Sequence, residues 1–427
     1  MTTRPGGPRL LRTLLSGLVL VALVAVMAAA ALAQPAAADA RKAPLVAYRG
    51  LGSWVDIYET RAWNDPAAAV ADMHSHGVRT LYIETANFRI NTALYRKAAL
   101  NVFIEEAHDN DMYVVAWYLP SFTDLDKDLR RSKAAIDYRT PNGQRFDSFA
   151  LDIEDRSVKP ASLRIARVTT LSKQIRAAVG TAYPLGGIIP SPVALEWSPP
   201  YWPDFPYKMV ADVYDVIVPM GYYTFHGDGT SQAYSETLRN VSILRAKTGD
   251  SMVPIHVIGG VGDKSTALET TAYVRAVRET GCLGGSMYNW STTDDADWRA
   301  LQNIRFNPRQ RPALPVAVGY TAPLGNCRQD TTHPKEVFFT AAGQDGNRVL
   351  RLRLWDVQAD ELRLIVNWRE VLTFVGGPKD SWTKVRTVKI PAKLWHASGY
   401  NVIGIVARGD APDWRRWGVR DLTLSAQ

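Results

Sequence analysis

The chain has few of the residues that mark metal centres and nucleophilic hydrolases. It holds two cysteines and seven histidines among 427 residues, and no cysteine–histidine cluster has the spacing of metal ligands. No G-x-S-x-G motif marks a serine hydrolase, and no Gly-rich phosphate-binding turn follows the first apolar run. We therefore expect neither a metal ion nor an organic cofactor.

Blocks of like charge are also absent. The formal net charge is +8, from 50 Lys and Arg against 42 Asp and Glu, and the basic residues are spread along the chain. Removal of residues 1–40 takes away three arginines and one aspartate and leaves +6. Such mild basicity favours solubility and a weak attraction to an anionic cell wall over nucleic-acid binding. We expect a monomer that binds no nucleic acid.

The N-terminus has the pattern of an export signal. Three arginines precede an apolar run over residues 14–33, and the small-residue cleavage sites A-L-A and A-D-A lie at the end of this run and just after it. Residues 1–40 are therefore predicted to be the cleaved signal peptide of a secreted protein. The apolar run is also long enough to span a membrane, so an uncleaved N-terminal anchor is the alternative.

Eight short apolar runs recur between residues 41 and 305, and most are separated by stretches with helical periodicity. Near-continuous apolar runs are typical of strands buried on both faces, and their alternation with helices indicates βαβ units. Eight such units predict an α/β fold of the (β/α)8 TIM-barrel class. The first strand is predicted at LVAY (45–48) and the last at GGSMYNW (284–290). A doubly wound open sheet is the alternative.

The pattern changes after residue 305. Residues 306–332 are rich in proline, have no helical period and are predicted to form a linker. In VLRLRLW (349–355) leucines alternate with arginines, which is the period of a half-buried antiparallel strand. Several such runs without intervening helices predict a small all-β sandwich over residues 333–427. Its tryptophans fit either a sandwich core or a sugar-binding face.

The stretch FALDIED (149–155) sets carboxylates at the end of an otherwise apolar strand. Asp152 and Glu154 are two residues apart, so both side chains are expected to point into the barrel at its mouth, where TIM-barrel active sites lie. Two close carboxylates cannot both ionise cheaply, so the pKa of one rises. A carboxylic acid with a raised pKa suits the protonation of a glycosidic oxygen. This pattern predicts a glycoside hydrolase with Glu154 as its general acid.

Other polar and aromatic residues are found at or just after the predicted ends of further strands. They are Asp56, Glu84, Trp117, Tyr118, Tyr222, Tyr223, Asn289 and Trp290. The proline-rich loop 196–207 adds Trp197 and Trp202. Aromatic rings held on a stiff loop suit sugar binding because little conformational entropy is lost. We expect these side chains to bind a polysaccharide; a hydrophobic lid packed on the barrel is the alternative for the loop.

These motifs resemble those of chitinase-like glycoside hydrolases of family 18. That family carries D-x-x-D-x-D-x-E at the end of strand 4, and here Asp147, Asp152 and Glu154 match while Ala150 replaces the middle aspartate. Its M-x-Y motif on strand 6 is matched by M-G-Y, which ends at Tyr222, and its last strand by GGSMYNW.

The resemblance covers roughly residues 44–305 and implies a role for each matched residue. Glu154 would be the general acid, and Asp152 would orient a 2-acetamido group. Tyr222 would hydrogen-bond the carbonyl of that group, and Trp290 would form the floor of the sugar subsite. The resemblance thus implies an amino-sugar polymer, chitin-like or peptidoglycan, as the substrate.

Three alternatives remain open at this point. The strand LDIED is also similar to the D-x-E strand of family 25 lysozymes, which implies peptidoglycan. Glu154 can instead pair with Glu84 or Asp56 in a two-carboxylate mechanism. Ala150 favours a third reading, a lectin-like barrel that binds carbohydrate without efficient catalysis.

The two cysteines, Cys282 and Cys327, can form a disulfide in an exported chain. Such a bond would join the linker to the barrel just before the last strand. Two separate reduced thiols are the alternative.

Overall fold

The structure is a computed structural model that describes residues 44–196, 201–250, 252–304, 317–318, 336–343, 345–367, 369–397, 400–407 and 417–427. The predicted signal peptide, Trp197 and Cys327 lie outside these ranges. Within them, no helix combines the length and apolarity that a membrane span requires.

Eight parallel strands close into a barrel. They are β1 (Gly50–Val55), β2 (Thr80–Asn87), β3 (Tyr113–Leu119), β4 (Ser148–Asp152), β5 (Leu185–Pro190), β6 (Val216–Met220), β7 (His256–Val261) and β8 (Gly284–Tyr288). Each strand pairs with the next one along the chain, and β8 pairs with β1 from Gly50↔Gly284 to Ser53↔Met287. The closed order confirms the predicted TIM barrel and excludes the open sheet.

Helices connect the strands on the outside of the barrel. They are α1 (Thr60–Asn64), α2 (Pro66–Ser75), α3 (Lys97–Asp109), α4 (Leu125–Ile136), α5 (Ala161–Val179), α6 (Pro192–Glu196), α7 (Tyr207–Val213), α8 (Thr230–Thr248), α9 (Ala267–Glu279) and α10 (Asp295–Leu301). Local sequence explains several of their starts. The Asp65 side chain accepts from the N–H of Ala68 to cap α2, and Thr266 with Glu269 forms a capping box for α9.

The prediction of the first strand was wrong. Residues Val46–Tyr48 of the LVAY run form a 3-10 turn whose Tyr48 is buried in the barrel interior, and β1 is the glycine-containing stretch GLGSWV that follows. A short apolar run has no periodicity that separates a strand from a buried turn. Glycine at 52 is required by packing, since a Cβ there would lie 2.6 Å from Cε2 of Tyr82.

Two hydrophobic clusters follow from the alternation of side chains along the strands. One fills the barrel interior and includes Trp54, Tyr82, Val115 and Ile188, all at most 2 % exposed. The other lies between the strands and the helices and is the larger of the two. Because both faces of each strand are covered, the strands read as continuous apolar runs in the sequence.

Two four-stranded sheets follow the barrel. Their strands are β9 (Ala317–Val318), β10 (Glu336–Ala342), β11 (Arg348–Trp355), β12 (Leu362–Val366), β13 (Arg369–Thr373), β14 (Arg386–Ile390), β15 (Tyr400–Ala407) and β16 (Gly418–Ala426). The first sheet has the order β10-β15-β12-β13 and the second the order β14-β11-β16-β9. Residues of both sheets share one core, including Leu352 of the second and Ile405 of the first, which confirms the predicted sandwich.

The predicted linker contributes to this sandwich. Residues 317–318 of the proline-rich segment form the edge strand β9, which pairs antiparallel with β16 at Leu422↔Val318. Neither β9 nor β10 was predicted from the sequence. The domain boundaries at 305/306 and 332/333 stay predictions.

The first sheet packs against the barrel. Val402 and Val406 of β15 form a small apolar cluster with Leu238 of α8 and Ala276 of α9, and all four are less than 10 % exposed. Val402 and Val406 alternate with Ile403 and Ile405, which face the sandwich core. The outward face of the first sheet is therefore covered by barrel helices.

Cys282 is a free, buried thiol that lies between α9 and β8, with Sγ 3.3 Å from Oγ1 of Thr280. Its predicted partner, Cys327, lies outside the described residues. The predicted disulfide therefore stays a prediction.

Candidate active site

Asp152 is the last residue of β4 and points into the mouth of the barrel. It is 5 % exposed, and its Oδ1 has no hydrogen-bond partner among the residues that the structure describes. Burial raises the pKa of Asp152 well above its usual range, and the negative charges of Glu154, Glu84 and Asp155 raise it further. Such a carboxyl group favours its protonated form and has an oxygen free to bind a ligand.

Glu154 follows the end of β4 and is half-buried. Burial raises its pKa, and the nearby charge of Asp155 adds to this effect, while the Arg89 guanidinium opposes it. The effect of one carboxylate on the other appears at Asp152, whose pKa burial raises first and the charge of Glu154 second. A half-buried carboxylic acid at this edge combines access to a ligand with the ability to hold a proton.

Glu84 extends from β2 into the same region and is 2 % exposed. Its Oε2 accepts from the N–H of Ile57 at 2.9 Å, and its Oε1 accepts from Nδ2 of Asn87 at 3.0 Å. Burial raises the pKa of Glu84 to about 7, and the charge of Asp56 adds to the shift, although both hydrogen bonds oppose it. Glu84 therefore titrates near neutral pH.

Because the pKa of Glu84 is higher in the folded chain than in the unfolded chain, Glu84 should make stability fall as pH rises. Well below pH 4.5, Glu84 is protonated in both the folded and the unfolded chain. Between pH 4.5 and about 7, Glu84 loses its proton in the unfolded chain only. The loss should amount to about 3 kcal/mol, at about 1.4 kcal/mol per pKa unit. Glu84→Gln should flatten this decline in denaturant unfolding measured from pH 4 to pH 8.

A matched control for this experiment is Glu370→Gln, at an exposed glutamate of β13. It should keep the slope of the unmodified protein. A Glu84→Gln variant whose stability declines with pH as steeply as the unmodified protein would contradict the assignment of this titration to Glu84.

Asp56 follows β1 and is hydrogen-bonded to residues at the end of β8, on the side of the mouth opposite β4. Its Oδ2 accepts from the Tyr288 hydroxyl at 2.5 Å and from Nδ2 of Asn289 at 3.4 Å, and its Oδ1 accepts from the N–H of Tyr58 at 2.8 Å. Burial and the Asp56 charge both raise the pKa of Tyr288, so its hydroxyl stays protonated and donates. The predicted residues Asp56 and Asn289 thus lie at the mouth.

Tyr222 lies beside the carboxylates. It follows β6 with φ 37°, in the left-handed region. Burial raises the pKa of its hydroxyl, and the charges of Asp152, Glu154 and Asp56 raise it further. The structure therefore brings Tyr222, Asp152 and Glu154 together, and the Tyr222 hydroxyl keeps its proton for donation.

Trp117 is the predicted aromatic residue that faces the barrel interior. Its ring packs edge-on to Trp54 with centroids 6.0 Å apart, and Trp54 stacks on Tyr82 at 4.3 Å. Trp117 is 5 % exposed, and its Nε1 has no hydrogen-bond partner within the described ranges. In register, Trp117 lies between Glu84 of β2 and Ala150 of β4.

The structure does not bring Tyr118 and Tyr223 to the mouth. The Tyr118 hydroxyl donates to Oδ1 of Asp128 at 2.6 Å, and the Tyr223 hydroxyl lies 2.8 Å from Oγ of Ser265, both in the outer cluster. Neighbouring residues on a strand point to opposite faces, so Trp117 and Tyr118 cannot both line the barrel.

Trp290 and Trp202 also lie away from the mouth. Trp290 is 5 % exposed within the outer cluster, and its Nε1 donates to Oδ2 of Asp72 on α2 at 2.8 Å. Trp202 is fully buried, with the Arg164 guanidinium 4.1 Å from its ring centroid. The burial of Trp202 agrees with the alternative interpretation of its loop as a hydrophobic lid packed on the barrel. Trp197 lies outside the described residues.

Three residues near the carboxylates were not among the predicted site residues. Arg89 opposes the raised pKa of both Glu84 and Glu154. The half-buried Tyr201 comes from the aromatic loop, and its pKa is raised by burial and by nearby acids that include Glu154. Tyr288 packs edge-on to Tyr222 at 6.1 Å. The sequence signals for them were weak, namely a lone basic residue after β2 and aromatics beside residues that were already predicted.

No group of three or more His, Cys, Asp and Glu side chains in the described part of the chain has an arrangement suited to a metal ion. Two of the acidic residues at the mouth, Glu84 and Asp56, accept hydrogen bonds from backbone, Asn and Tyr donors. What the arrangement offers is a set of carboxyl groups with raised pKa values around a tyrosine hydroxyl.

No family model and no curated protein matches the sequence. Among solved structures, an endo-1,4-beta-mannanase from Rhizomucor miehei is similar at 10 % identity and a TM-score of 0.47, over 60 % of this chain and 94 % of that one. A plant class V chitinase mutant from Cycas revoluta in complex with (GlcNAc)3 is similar at 11 % identity and a TM-score of 0.46, over 60 % of this chain and 98 % of that one. The spore cortex-lytic enzyme SleL from Bacillus megaterium is similar at 10 % identity and a TM-score of 0.42, over 60 % of this chain and 74 % of that one. At these identities and TM-scores, the similarity does not assign an activity to the chain.

Proposed function

We propose that the chain is an exported glycoside hydrolase that cleaves an amino-sugar polysaccharide, chitin-like or peptidoglycan. The observation that carries this proposal is the acidic cluster at the barrel mouth. Asp152, Glu154 and Glu84 all have raised pKa values, and Tyr222 lies beside them. A carboxyl group with a raised pKa suits the proton transfer to the glycosidic oxygen in glycosidic bond cleavage.

Glu154 is the proposed general acid. It is the more exposed of the two β4 carboxyl groups, so a glycosidic oxygen can reach it, and its raised pKa keeps the transferable proton. After transfer, the negative charge that develops on Glu154 is stabilised by the Arg89 guanidinium, which already lowers its pKa. Glu84 or Asp56 as partner in a two-carboxylate mechanism is the alternative.

Asp152 and Tyr222 are proposed to hold the 2-acetamido group of the sugar. The unpartnered Oδ1 of Asp152 can accept from the amide N–H, and the protonated hydroxyl of Tyr222 can donate to the amide carbonyl. A buried oxygen without a partner favours a ligand that supplies a donor, and the N–H and C=O of one acetamido group match Asp152 and the Tyr222 hydroxyl together. Trp117 Nε1 is a further donor at this level of the barrel.

Tyr222→Phe should lower kcat/KM on an acetylated substrate by about 10- to 100-fold, the effect of one hydrogen bond near a charge. The same change should have little effect on a deacetylated polymer. Tyr223→Phe is the matched control. The Tyr223 hydroxyl bonds to Ser265 outside the barrel, so its loss should reduce stability without changing turnover. Equal losses on both polymers for Tyr222→Phe would contradict a role in acetamide binding.

The direct test of the proposed function is a screen of residues 41–427 on chitin, peptidoglycan and deacetylated or acidic polysaccharides, with Glu154→Gln as the inactive reference. Release of reducing ends by the unmodified chain alone supports hydrolysis. Secretion with cleavage before residue 41, checked by N-terminal sequencing of the exported protein, is part of the same proposal; retention in the membrane would favour the uncleaved anchor.

A carbohydrate-binding protein without efficient catalysis is the second candidate. Ala150, fully buried on β4, favours it because that position carries no carboxyl group. Oligosaccharide binding without turnover on any polymer of the screen would select this function.

A further inference from the structure

Among the described residues, the second sheet of the sandwich has an outward face with exposed side chains on β11, β14 and β16. Along β11, the buried residues Leu350, Leu352 and Leu354 face the core, so the residues between them point outward. The first sheet is the one that packs on α8 and α9 through Val402 and Val406. The basic face, as we call this outward surface, comprises Arg351, Arg353, Trp355, Trp382, Lys389 and Arg420.

Like charges meet directly on the basic face. Arg353 of β11 and Arg420 of β16 are register partners, and like charges opposite each other destabilise a sheet. A single carboxylate, Asp421, lies 3.4 Å from Nε of Arg353 and 3.5 Å from Nε of Arg420. Arg353 and Arg420 are 37 % and 32 % exposed, so one acid partly balances two guanidinium groups that an incoming anion can still reach.

Two further cations continue the same face. Arg351 is exposed and pairs in register with Thr387 and Thr423, two hydroxyl-bearing residues on either side. Lys389 is exposed on β14, opposite Val349. Among the described residues, the basic face thus carries four cations and one acid, and its outward positions are about 7 Å apart along a strand.

Tryptophan rings lie at one end of the basic face. Trp355 and Trp382 form an isolated antiparallel bridge and are both half-buried. The guanidinium of Arg420 lies 4.2 Å from the Trp382 ring centroid, which orients this arginine. A half-buried aromatic ring next to arginines suits the apolar face of a sugar that also carries a negative charge.

We propose that the basic face binds a polysaccharide whose sugars carry carboxylates. Arginine forks pair with carboxylates through two hydrogen bonds. The sparse cations match a polymer with about one charge per sugar, whereas duplex DNA carries one charge per about 1.7 Å.

Polygalacturonate is the probe for this proposal, with its fully methyl-esterified form as the uncharged polymer of the same backbone. Affinity electrophoresis of the full chain should show retardation by polygalacturonate that weakens with salt, and none by the ester. The double variant Arg351→Gln/Lys389→Gln should weaken binding about tenfold or more. Both residues are exposed, so the thermal unfolding of this variant should match that of the unmodified chain.

Matched controls remove the same charge elsewhere. Arg369→Gln/Lys208→Gln changes exposed residues on β13 and α7 and should leave affinity within about twofold, because neither lies on the basic face. Glu154→Gln should also bind normally, which separates this proposal from the fate of the proposed hydrolase.

Four results would overturn the proposal. They are equal binding of the ester, an unchanged affinity of the Arg351→Gln/Lys389→Gln variant, tighter binding of duplex DNA at equal salt, and equally tight binding of polyglutamate. The last two respectively indicate a nucleic-acid surface and attraction by charge without sugar recognition.

Discussion

Glu154→Gln should lower kcat on the polysaccharide substrate by about 10²- to 10⁴-fold, the usual contribution of general acid–base groups, while oligosaccharide binding persists. Glutamine keeps the shape and most hydrogen bonding of glutamate but has no proton to transfer to the leaving oxygen. Glu154 is half-buried, so the exchange should not disturb the fold. Steady-state kinetics, together with calorimetry on an oligosaccharide, separates the two effects.

Asp155→Asn is a sharp control for this prediction. After burial, the charge of Asp155 is what raises the pKa of Glu154. The Oδ1 of Asp155 accepts from the N–H of Ser157 at 2.8 Å, and the side-chain oxygen of asparagine can accept the same hydrogen bond. Removal of its charge should lower the pKa of Glu154. The high-pH limb of the activity profile, where the acid loses its proton, should then move to lower pH with little loss at the optimum. Unchanged turnover of Glu154→Gln would instead assign the proton transfer to another carboxyl group, such as Glu84.

The barrel could be predicted because a buried parallel sheet imposes a simple signal. Seven of its strands coincide with apolar runs, since both faces of each are covered by side chains. The first strand was not predicted because it has Gly52 in place of an apolar residue, at a point where Tyr82 and His256 fill the barrel interior. β9 and β10 were missed because β9 has only two residues and β10, EVFFTAA, lacks a regular alternation of apolar and polar residues.

Whether a site residue could be predicted depended on the contacts that fix the direction of its side chain. Alternation along β3 would have separated Trp117 from Tyr118 without a structure. The orientation of Trp290 could not be predicted, because it depends on Asp72 of α2, far away in sequence. Asp56 and Glu84 were found because carboxylates are costly to bury and therefore stand out at strand ends.

Asp152→Asn should lower kcat by about 10²-fold or more on an acetylated substrate, a loss comparable to that of one preorganised hydrogen-bonding group. The same variant should be more stable than the unmodified protein at neutral pH. Asp152 is almost fully buried with an unpartnered Oδ1 and a raised pKa. A raised folded-state pKa means that stability is lost as pH rises through it, and asparagine has no proton to lose.

The opposite signs of these two effects distinguish a role in ligand binding from a structural one. A structural carboxylate would lose stability and activity together on replacement, whereas Asp152→Asn is expected to lose activity while it gains stability. Denaturant unfolding at pH 5 and pH 8 should show that the gain is larger at pH 8. Asp65→Asn is the control, because asparagine also caps α2 and neither quantity should change. If Asp152→Asn is less stable than the unmodified protein at pH 8, the proposed role of Asp152 in binding the acetamido group is wrong. If the activity loss is equally large on a deacetylated polymer, the substrate group that Asp152 binds is not the acetamido group.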